Sequence, residues 1–378
     1  MTTTQYANST QHFLDLVRGA SEDLERYGDM IEATKQVDQE IMDLLFESGL
    51  MQMTLPTQWG GAGMRVQEYL PVLERIAGFH GTIRMYVHGM NGIWRPLATF
   101  GTDEQKERWL KVPSEKGLFA FALTELNSGT GRDVATTAEL VSDEWVLNGA
   151  KNLISWGRDA QVQYVIARTG TNADGTAEIS CILVPRDAAG MSFERIPDGM
   201  GLHGSGHDRI FYDNVHVPAE NLLGKRGEGL QVGSSFLDVS RLGIATSLLG
   251  IAKRSFEMAC EYAQQRQTFG KPIARRQAIQ MSVGESAAEL YSLESAIHRT
   301  ARMYDAGTPI LAESAMCKLL GIEIGGRVTD RALRMFGGVG YLGDLRVERL
   351  YRDTRAMWFE EGTAEIQKLV ASRPHLGA

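Results

Sequence analysis

The sequence predicts an α+β protein, mainly helical, in which a β-rich segment separates two helical ones. Apolar residues recur at helical spacing in the first and last thirds of the chain. Between them, short runs rich in β-branched and aromatic residues alternate with Gly, Asp, Asn and Pro. We therefore predict an N-terminal helical domain (1–118), a central antiparallel β-barrel or sandwich domain (119–232) and a C-terminal four-helix bundle (233–378).

The helical character of the N-terminal segment shows in its apolar spacing. Phe13 and Val17 lie one turn apart, and Asp38 precedes a second apolar-periodic run as a candidate N-cap. Residues 67–79 and 81–99 continue the same period, so we expect helices there as well.

The central segment begins with a strand and a polar loop. Residues 119–124 alternate large and small side chains, and residues 127–131 are Asn, Ser, Gly and Thr, a composition that can turn several N–H groups toward one ligand. Strand-like runs follow at 137–142 and 144–147, and the dipeptide Asn148-Gly149 predicts a hairpin turn.

Four long helical patterns make up the C-terminal segment. They cover residues 235–265, 278–305, 309–336 and 363–373, each with an apolar stripe. Helices of this length with apolar stripes are expected to pack as a bundle.

The bulk composition excludes several classes of function. A net charge of −8 with dispersed Lys and Arg argues against nucleic-acid binding. Cys181, Cys260 and Cys317 are too far apart for a CxxC motif, and the N-terminus has no secretory pattern. The apolar run 242–252 is too short to span a membrane. We predict a cytoplasmic protein with no membrane segment and no metal site.

Two stretches carry a resemblance to a known family. Residues 121–130 read FALTELNSGT and residues 148–155 read NGAKNLIS. They resemble the flavin-binding signature of the acyl-CoA dehydrogenase family. The resemblance implies that FAD is the cofactor and that Thr130 contacts cofactor and substrate. It places the flavin ring against Phe121, Leu123, Thr124, Leu153 and Ser155. Leu153 replaces the family's usual Trp, and Trp156 is the candidate to replace its ring.

The run MWFEEGTAEIQ, residues 357–367, resembles the family's aromatic-E-G-T-x-x-I-Q motif. The resemblance implies that Glu361 removes the substrate α-proton and that Gly362 contacts the substrate. It also assigns Thr363, a candidate N-cap, and Glu365 to the cofactor. An isolated glutamate at a helix start is more often a solvated acid, so the motif decides this assignment. The neighbouring Glu360 could face solvent or reach a polar acyl group; we expect it to face solvent, because charges are seldom buried unpaired.

The segment Leu237–Arg241 reads LDVSR. Some relatives place the base at the position of Ser240, which has no carboxylate here. The resemblance implies that Asp238 and Arg241 line the substrate site. The alternative is an ion pair between residues one helical turn apart. His88 is either a core histidine or a residue of the acyl pocket.

Residues 266–273, RQTFGKPI, resemble the family's R-x-x-F-G motif, whose arginine holds the FAD diphosphate of a neighbouring subunit. The chain would then be at least a dimer, and the family implies a tetramer. The cofactor contacts implied here and at the glycine-rich turn after 329–335 are Arg266, Thr268, Phe269, Arg276, Gln277, Arg334, Gly337 and Gly338.

The resemblance therefore implies an FAD-dependent dehydrogenase of acyl thioesters, with the α-proton going to Glu361 and the β-hydride to flavin N5. An electron-transfer flavoprotein is the implied acceptor. The thioester is an acyl-CoA or, alternatively, an acyl group on a carrier protein. A flavin oxidase or monooxygenase on the same fold and a non-catalytic flavoprotein remain open, although both usually lack the glutamate of the E-G-T motif. His203 and His207 lie in a glycine-rich loop without a third ligand, so no metal site is expected there.

Overall fold

The computed structural model describes residues 10–129, 133–343 and 345–377. Its N-terminal part is helical, as the apolar spacing predicts. Asp38 is the N-cap residue of α3, although its side chain makes no capping hydrogen bond. The helices are α1 (Thr10–Gly19), α2 (Ser21–Thr34), α3 (Gln39–Glu47), α4 (Val66–Ala77), α5 (Gly81–Ile93), α6 (Arg95–Phe100) and α7 (Asp103–Trp109).

One eight-stranded sheet forms the central part. Its order is β6-β7-β3-β2-β4-β5-β8, with β1 paired to β4. The strands are β1 (Phe119–Ala122), β2 (Thr137–Val141), β3 (Glu144–Ser155), β4 (Val162–Thr171), β5 (Ala177–Pro185), β6 (Met191–Arg195), β7 (His207–Pro218) and β8 (Leu222–Leu223). Most pairs are antiparallel, as predicted, while β1 and β2 each run parallel to β4.

The predicted hairpin at Asn148-Gly149 is wrong. Both residues lie inside β3, at a register shift in its ladder with β7, and the β2–β3 turn is at Ser142 and Asp143 instead. Asn-Gly is a strong hairpin signal, but glycine inside a strand also marks a bulge. A side chain at Gly149 would start 2.7 Å from the Thr136 backbone, so close packing requires glycine here.

The C-terminal part returns to helices that pack around one central helix. α11 contacts α9, α10, α13 and α14. Its short neighbour α13 was not predicted. The elements are α8 (Gly229–Ser234), α9 (Leu237–Gln265), β9 (Gln267–Thr268), β10 (Lys271–Pro272), α10 (Gln277–Asp305), α11 (Leu311–Phe336), α12 (Gly338–Tyr341), α13 (Arg346–Ala356) and α14 (Ala364–Leu376).

Helix α9 is the element that joins the parts of the fold. It packs against α4 and α5 of the N-terminal part and against α11 of the C-terminal part. The stretch Gly229–Gln265 is long and apolar enough to cross a membrane, but 83% of its most apolar window is buried inside the protein, as expected of a core helix. α5, α9, α11 and the turn between α13 and α14 thereby meet, and this junction contains Glu361. The division into domains at residues 118 and 232 stays a prediction.

Candidate active site

Glu361 lies in the tight turn between α13 and α14. Its φ is +55°, a left-handed conformation that is uncommon outside glycine, and that of Gly362 is +95°. A Cβ at Gly362 would lie 3.0 Å from Nε2 of Gln367. Strained backbone at a non-glycine residue persists only where the surroundings fix it, and it is common at functional sites.

Two side chains fix this turn by binding its carbonyl groups. Lys318 of α11, whose side chain is wholly buried, donates from Nζ to the carbonyl oxygens of Glu360 and Gly362. Nε2 of Gln367 donates to the carbonyl of Glu361 at 3.1 Å and to that of Gly362 at 2.9 Å. Burial lowers the pKa of Lys318 to about 8, against the opposing charges of Glu361 and Glu360. Lys318 was not among the predicted site residues. The available signal was a lysine on the apolar face of α11, beside the buried Cys317 and one turn after the buried Ala315.

The surroundings of Glu361 make its carboxyl more basic. Burial raises the pKa of Glu361 above its ordinary value, and the neighbouring Glu360 adds to the rise. A hydrogen bond with Ser240 and the charges of Lys318 and Arg241 oppose it. A carboxyl that titrates closer to neutral pH is better suited to accept a proton from carbon.

Helix α9 supplies the wall on which the sequence placed Asp238 and Arg241. The two side chains form an ion pair at 3.4 Å, which is the alternative that the spacing left open. Arg241 nevertheless lies close enough to Glu361 for the two charges to interact, and only 8% of its side chain is exposed. Arg241 therefore lies near Glu361, and a substrate contact for either side chain stays a prediction.

Glu360 does not face solvent, so our prediction for it is wrong. Its two carboxylate oxygens accept from both terminal nitrogens of Arg84, on α5, at 2.9 Å each. The Arg84 side chain is fully buried, and that of Glu360 is 24% exposed. Burial alone would raise the pKa of Glu360, but the Arg84 guanidinium outweighs it and holds the pKa below its ordinary value. Arg84 lies 276 residues from Glu360 along the chain, so no local pattern revealed this pair.

His88 lies one turn after Arg84 on the same helix. Its side chain is buried, and Nε2 lies 3.0 Å from Oγ of Ser240. His88 is therefore buried, as expected of a core histidine. Its hydrogen bond also places it beside Ser240, which contacts Glu361.

The predicted flavin contacts of the sheet gather where β1 ends beside β3. The N–H of Asn152 donates to the carbonyl of Thr124 at 2.8 Å, which joins the two strand ends. The β3–β7 ladder skips from Lys151 to Ile154, and within this bulge Leu153 has a φ of +58° and is 56% exposed. Ser155 follows, paired with β7. The other members of this group, Phe121 and Leu123, are partly buried.

Trp156 does not stand beside Leu153 as a substitute ring. It is buried and stacks on Tyr86 of α5, with 4.7 Å between ring centroids. Phe121 in turn meets Phe236, just before α9, edge to face at 5.2 Å. These two aromatic pairs pack the sheet against α5 and the start of α9, and so bring the sheet edge toward the Glu361 turn.

A buried ion pair supports the loop after β1. Nζ of Lys151 donates to Glu125 at 2.9 Å, and Glu125 also accepts from the N–H groups of Ala135 and Thr136 at 2.8 and 3.0 Å. Glu125 and Lys151 of the two signature stretches are therefore structural partners. Thr130 lies outside the described residues.

The arm between α9 and α10, residues 266–277, is exposed. Phe269 is 97% exposed with a φ of +48°, and Arg266 and Gln277 are exposed too. Arg276 donates to the carbonyl of Thr268 at 2.6 Å and lies over the ring of Phe269. The arm thus bonds within itself, and these residues are not gathered around Glu361.

The remaining predicted cofactor residues lie at two helix ends. Arg334 pairs with Asp330 at 3.0 Å, and Gly337, with φ +65°, separates α11 from α12, which begins at Gly338. Thr363 is the N-cap residue of α14, but its side chain makes no capping bond to the backbone, and Glu365 is exposed in the first turn.

The described residues hold no group of three or more His, Cys, Asp or Glu that suits a metal ion. Nδ1 of His203 lies 2.9 Å from a carboxylate oxygen of Glu32, while Nδ1 of His207 lies 2.8 Å from the hydroxyl of Ser205, so the two histidines have separate partners.

Comparison with known proteins identifies the family. The chain matches the acyl-CoA dehydrogenase N-terminal domain over residues 8–113, the middle domain over 120–215 and the C-terminal domain over 227–375. It is 34% identical over 355 residues to a 3-(aryl)acrylate reductase of Clostridium sporogenes (strain ATCC 15579), covering 93% of this chain and 94% of that one. It is 33% identical to an acyl-CoA dehydrogenase of Bacillus subtilis (strain 168), covering 92% and 93%.

Solved structures agree with the sequence comparison. Butyryl-CoA dehydrogenase from Megasphaera elsdenii superposes with a TM-score of 0.93 at 30% identity, over 97% of this chain and 98% of that one. The predicted fold class is therefore confirmed. The chain belongs to the acyl-CoA dehydrogenase family of FAD-dependent oxidoreductases, which act on CH–CH bonds.

Proposed function

We propose that the chain dehydrogenates an acyl-CoA between its α and β carbons, with Glu361 as the base. The observation that carries the proposal is the Glu361 turn, which holds a carboxyl of raised pKa in a left-handed conformation fixed by Lys318 and Gln367. The α-proton goes to the Glu361 carboxylate, a hydride leaves the β-carbon with its electron pair, and a carbon–carbon double bond forms. FAD, when bound, supplies the acceptor for that hydride.

The residues at the place where β1 ends beside β3 fit a flavin ring. Leu153 offers an exposed apolar side chain, and its bulge lies outside the ladder where backbone groups can reach a ligand. Thr124 and Ser155, at the ends of the two strands, add hydroxyls. We assign Phe121, Leu123, Thr124, Leu153 and Ser155 to holding the ring. The N–H of Glu361 is the candidate donor to the thioester carbonyl, which must be polarised for the α-proton to be acidic.

Arg266 and Phe269 of the exposed arm are assigned to the FAD of a second copy of the chain. An arginine grips phosphate oxygens with two hydrogen bonds, and an aromatic side chain as exposed as Phe269 is unusual unless a partner covers it. This assignment requires at least a dimer, and we propose a tetramer. A cytoplasmic location and an electron-transfer flavoprotein as acceptor complete the proposal.

Anaerobic mixing of the FAD-loaded protein with acyl-CoAs of increasing chain length tests the function, because flavin reduction bleaches its absorbance. Bleaching by a CoA ester is the expected result, and the fastest ester defines the chain length. Bleaching only by acyl-carrier-proteins would replace CoA as the carrier. Since one relative is named a reductase, the reverse assay adds chemically reduced protein to the matching enoyl-CoAs. A protein that neither bleaches nor reoxidises with any thioester contradicts the proposal.

A further inference from the structure

Helix α5 places a buried histidine against the residue that contacts Glu361. His88 is 7% exposed, and Nε2 lies 3.0 Å from Oγ of Ser240 on α9. Nδ1 is buried and has no hydrogen-bond partner in the part of the chain that the structure describes. Among the described residues the ring therefore has one hydrogen-bond partner, the Ser240 hydroxyl.

Helix α9 makes room for the His88 ring at Gly243. A Cβ built at Gly243 would lie 2.5 Å from both Cε1 and Nδ1 of His88. Any larger residue would displace the imidazole, so glycine at this position allows His88 to reach Ser240. Tight packing of this kind fixes the orientation of a side chain and not only its location.

The Ser240 hydroxyl has different hydrogen-bond partners from other buried hydroxyls of α9. Thr246 and Ser247 donate to the carbonyls four residues earlier, at 2.9 and 2.8 Å, as buried helix hydroxyls commonly do. Ser240 instead lies 3.0 Å from Nε2 of His88, and its hydroxyl is near enough to the Glu361 carboxyl to lower the pKa of that group. Its hydroxyl can accept one hydrogen bond while it donates another.

The direction of these bonds follows from the charge state of His88. Burial, and then the positive charge of Arg84, lower the pKa of His88 to about 3, while Glu360 opposes and Arg95 adds to the effect. The imidazole is therefore neutral, and it carries its hydrogen on the nitrogen that has an acceptor. Nε2–H then donates to Ser240, whose own hydrogen is left to donate to Glu361.

We propose that His88 is a positioning residue, acting through Ser240, that orients a hydrogen bond onto the carboxylate of the base. The inference rests on the proposed role of Glu361. Besides Ser240, the charged groups that face Glu361 are Lys318 and Arg241, which favour its carboxylate, and Glu360, which disfavours it. Lys318 is already committed to two backbone carbonyls, so the His88–Ser240 chain supplies the neutral hydrogen bond to this carboxylate.

The test is a double-mutant cycle in which the pH dependence of flavin reduction is measured. We would measure the rate of flavin reduction against pH, with the best acyl-CoA, for His88→Leu, Ser240→Ala and their combination. Losing one hydrogen bond to the carboxylate should raise the apparent pKa of the base by about one unit. The double variant should shift it no further than Ser240→Ala does. His88→Gln keeps an N–H donor at similar reach and should restore most of the wild-type profile.

Ser247→Ala is the matched control, because it removes a hydroxyl from the same helix that donates only to backbone. Infrared difference spectra against Glu361→Gln report protonation of this carboxyl without turnover. If His88→Leu does not fold, His88→Met, which fills irregular core space, replaces it. An unchanged pKa in the His88 variant, or additive shifts in the double variant, would overturn the inference. Wild-type protein that no thioester reduces would instead overturn the proposed function.

Discussion

The turn that carries Glu361 is bound by residues from other parts of the chain, whereas the arm between α9 and α10 bonds mainly within itself. In the turn, the carbonyls on both sides of Glu361 are bound by Lys318 and Gln367, and the adjacent Glu360 is bound by Arg84. In the arm, the bonds run from Arg276 to Thr268, and the ring of Phe269 stands almost wholly exposed.

This difference shows that interactions within one chain fix the turn that carries Glu361 but leave the ring of Phe269 in the arm uncovered. Polar groups that a single chain satisfies are fixed before any ligand arrives, which favours a preorganised base. An aromatic residue as exposed as Phe269, in an arm that also carries Arg266 and Arg276, is typical of a surface that another molecule covers. Substitutions in the two regions should therefore separate chemistry from cofactor binding.

The largest expected effect is that of Glu361→Gln. The amide keeps the shape of the side chain but cannot accept the α-proton, so flavin reduction should fall by about 1,000-fold or more while FAD stays bound. Stopped-flow absorbance with the best acyl-CoA measures this rate. Glu257→Gln, an exposed position on α9, is the control. A Glu361→Gln protein that bleaches at the normal rate would falsify the assignment.

Arg266→Ala should impair FAD binding and spare the chemical step, the opposite of Glu361→Gln. Loss of a charge-assisted contact with a diphosphate should weaken FAD binding by about 10- to 100-fold, and the fraction that retains FAD should still be reduced normally. Flavin content after gel filtration and FAD titration of the apoprotein measure this effect. Arg299→Ala, which removes another exposed arginine from α10, should leave FAD affinity unchanged. Equal flavin occupancy in both variants would show that Arg266 holds no cofactor.

In these two regions, the sequence predicts best the residues that belong to short, contiguous motifs. Glu361, Gly362 and Thr363 occupy consecutive positions, so their resemblance to the family places all of them at the helix start observed for α14. The arm was likewise located by its R-x-x-F-G motif.

The partners that complete the site escaped prediction because they are distant in sequence. Arg84 pairs with Glu360 across 276 residues and Lys318 reaches the same residue across 42. A lone carboxylate is usually solvated, so Glu360 was placed in solvent; only the packing of α5 against the turn provides its counter-ion. The suggestion that Trp156 replaces a ring at Leu153 was wrong for the same reason, because its stacking partner Tyr86 is distant in sequence, on α5.

Lys318→Met should weaken the turn without removing the base. The methionine keeps most of the buried volume, but the carbonyls of Glu360 and Gly362 lose their donor, so Glu361 is held less firmly. We expect about a tenfold slower flavin reduction with FAD content unchanged. Lys368→Met, an exposed lysine on α14, is the control. A wild-type rate in Lys318→Met would mean that Gln367 alone fixes the turn.

The smallest effects should appear in stability, where the two adjacent carboxylates should behave oppositely. Glu360→Gln leaves Arg84 buried without its full counter-charge, and we expect it to lower the free energy of unfolding at neutral pH by about 1 kcal/mol, a modest loss because Glu360 is partly exposed. Glu361→Gln should raise the same free energy, because it removes a carboxylate that burial disfavours. Urea unfolding of the apoproteins measures both.

The pH dependence separates these two effects from general loss of packing. The pKa of Glu360 is lowered in the folded protein, so its stabilising contribution is present above the ordinary glutamate pKa and is lost as pH falls through the folded value. The cost of Glu360→Gln should therefore shrink on acidification. The pKa of Glu361 is raised, so its destabilising contribution is present above the folded value and disappears below the ordinary one. The gain from Glu361→Gln should also vanish at low pH, and stability changes of the same sign in both variants at neutral pH would contradict the contrast between these neighbouring carboxylates.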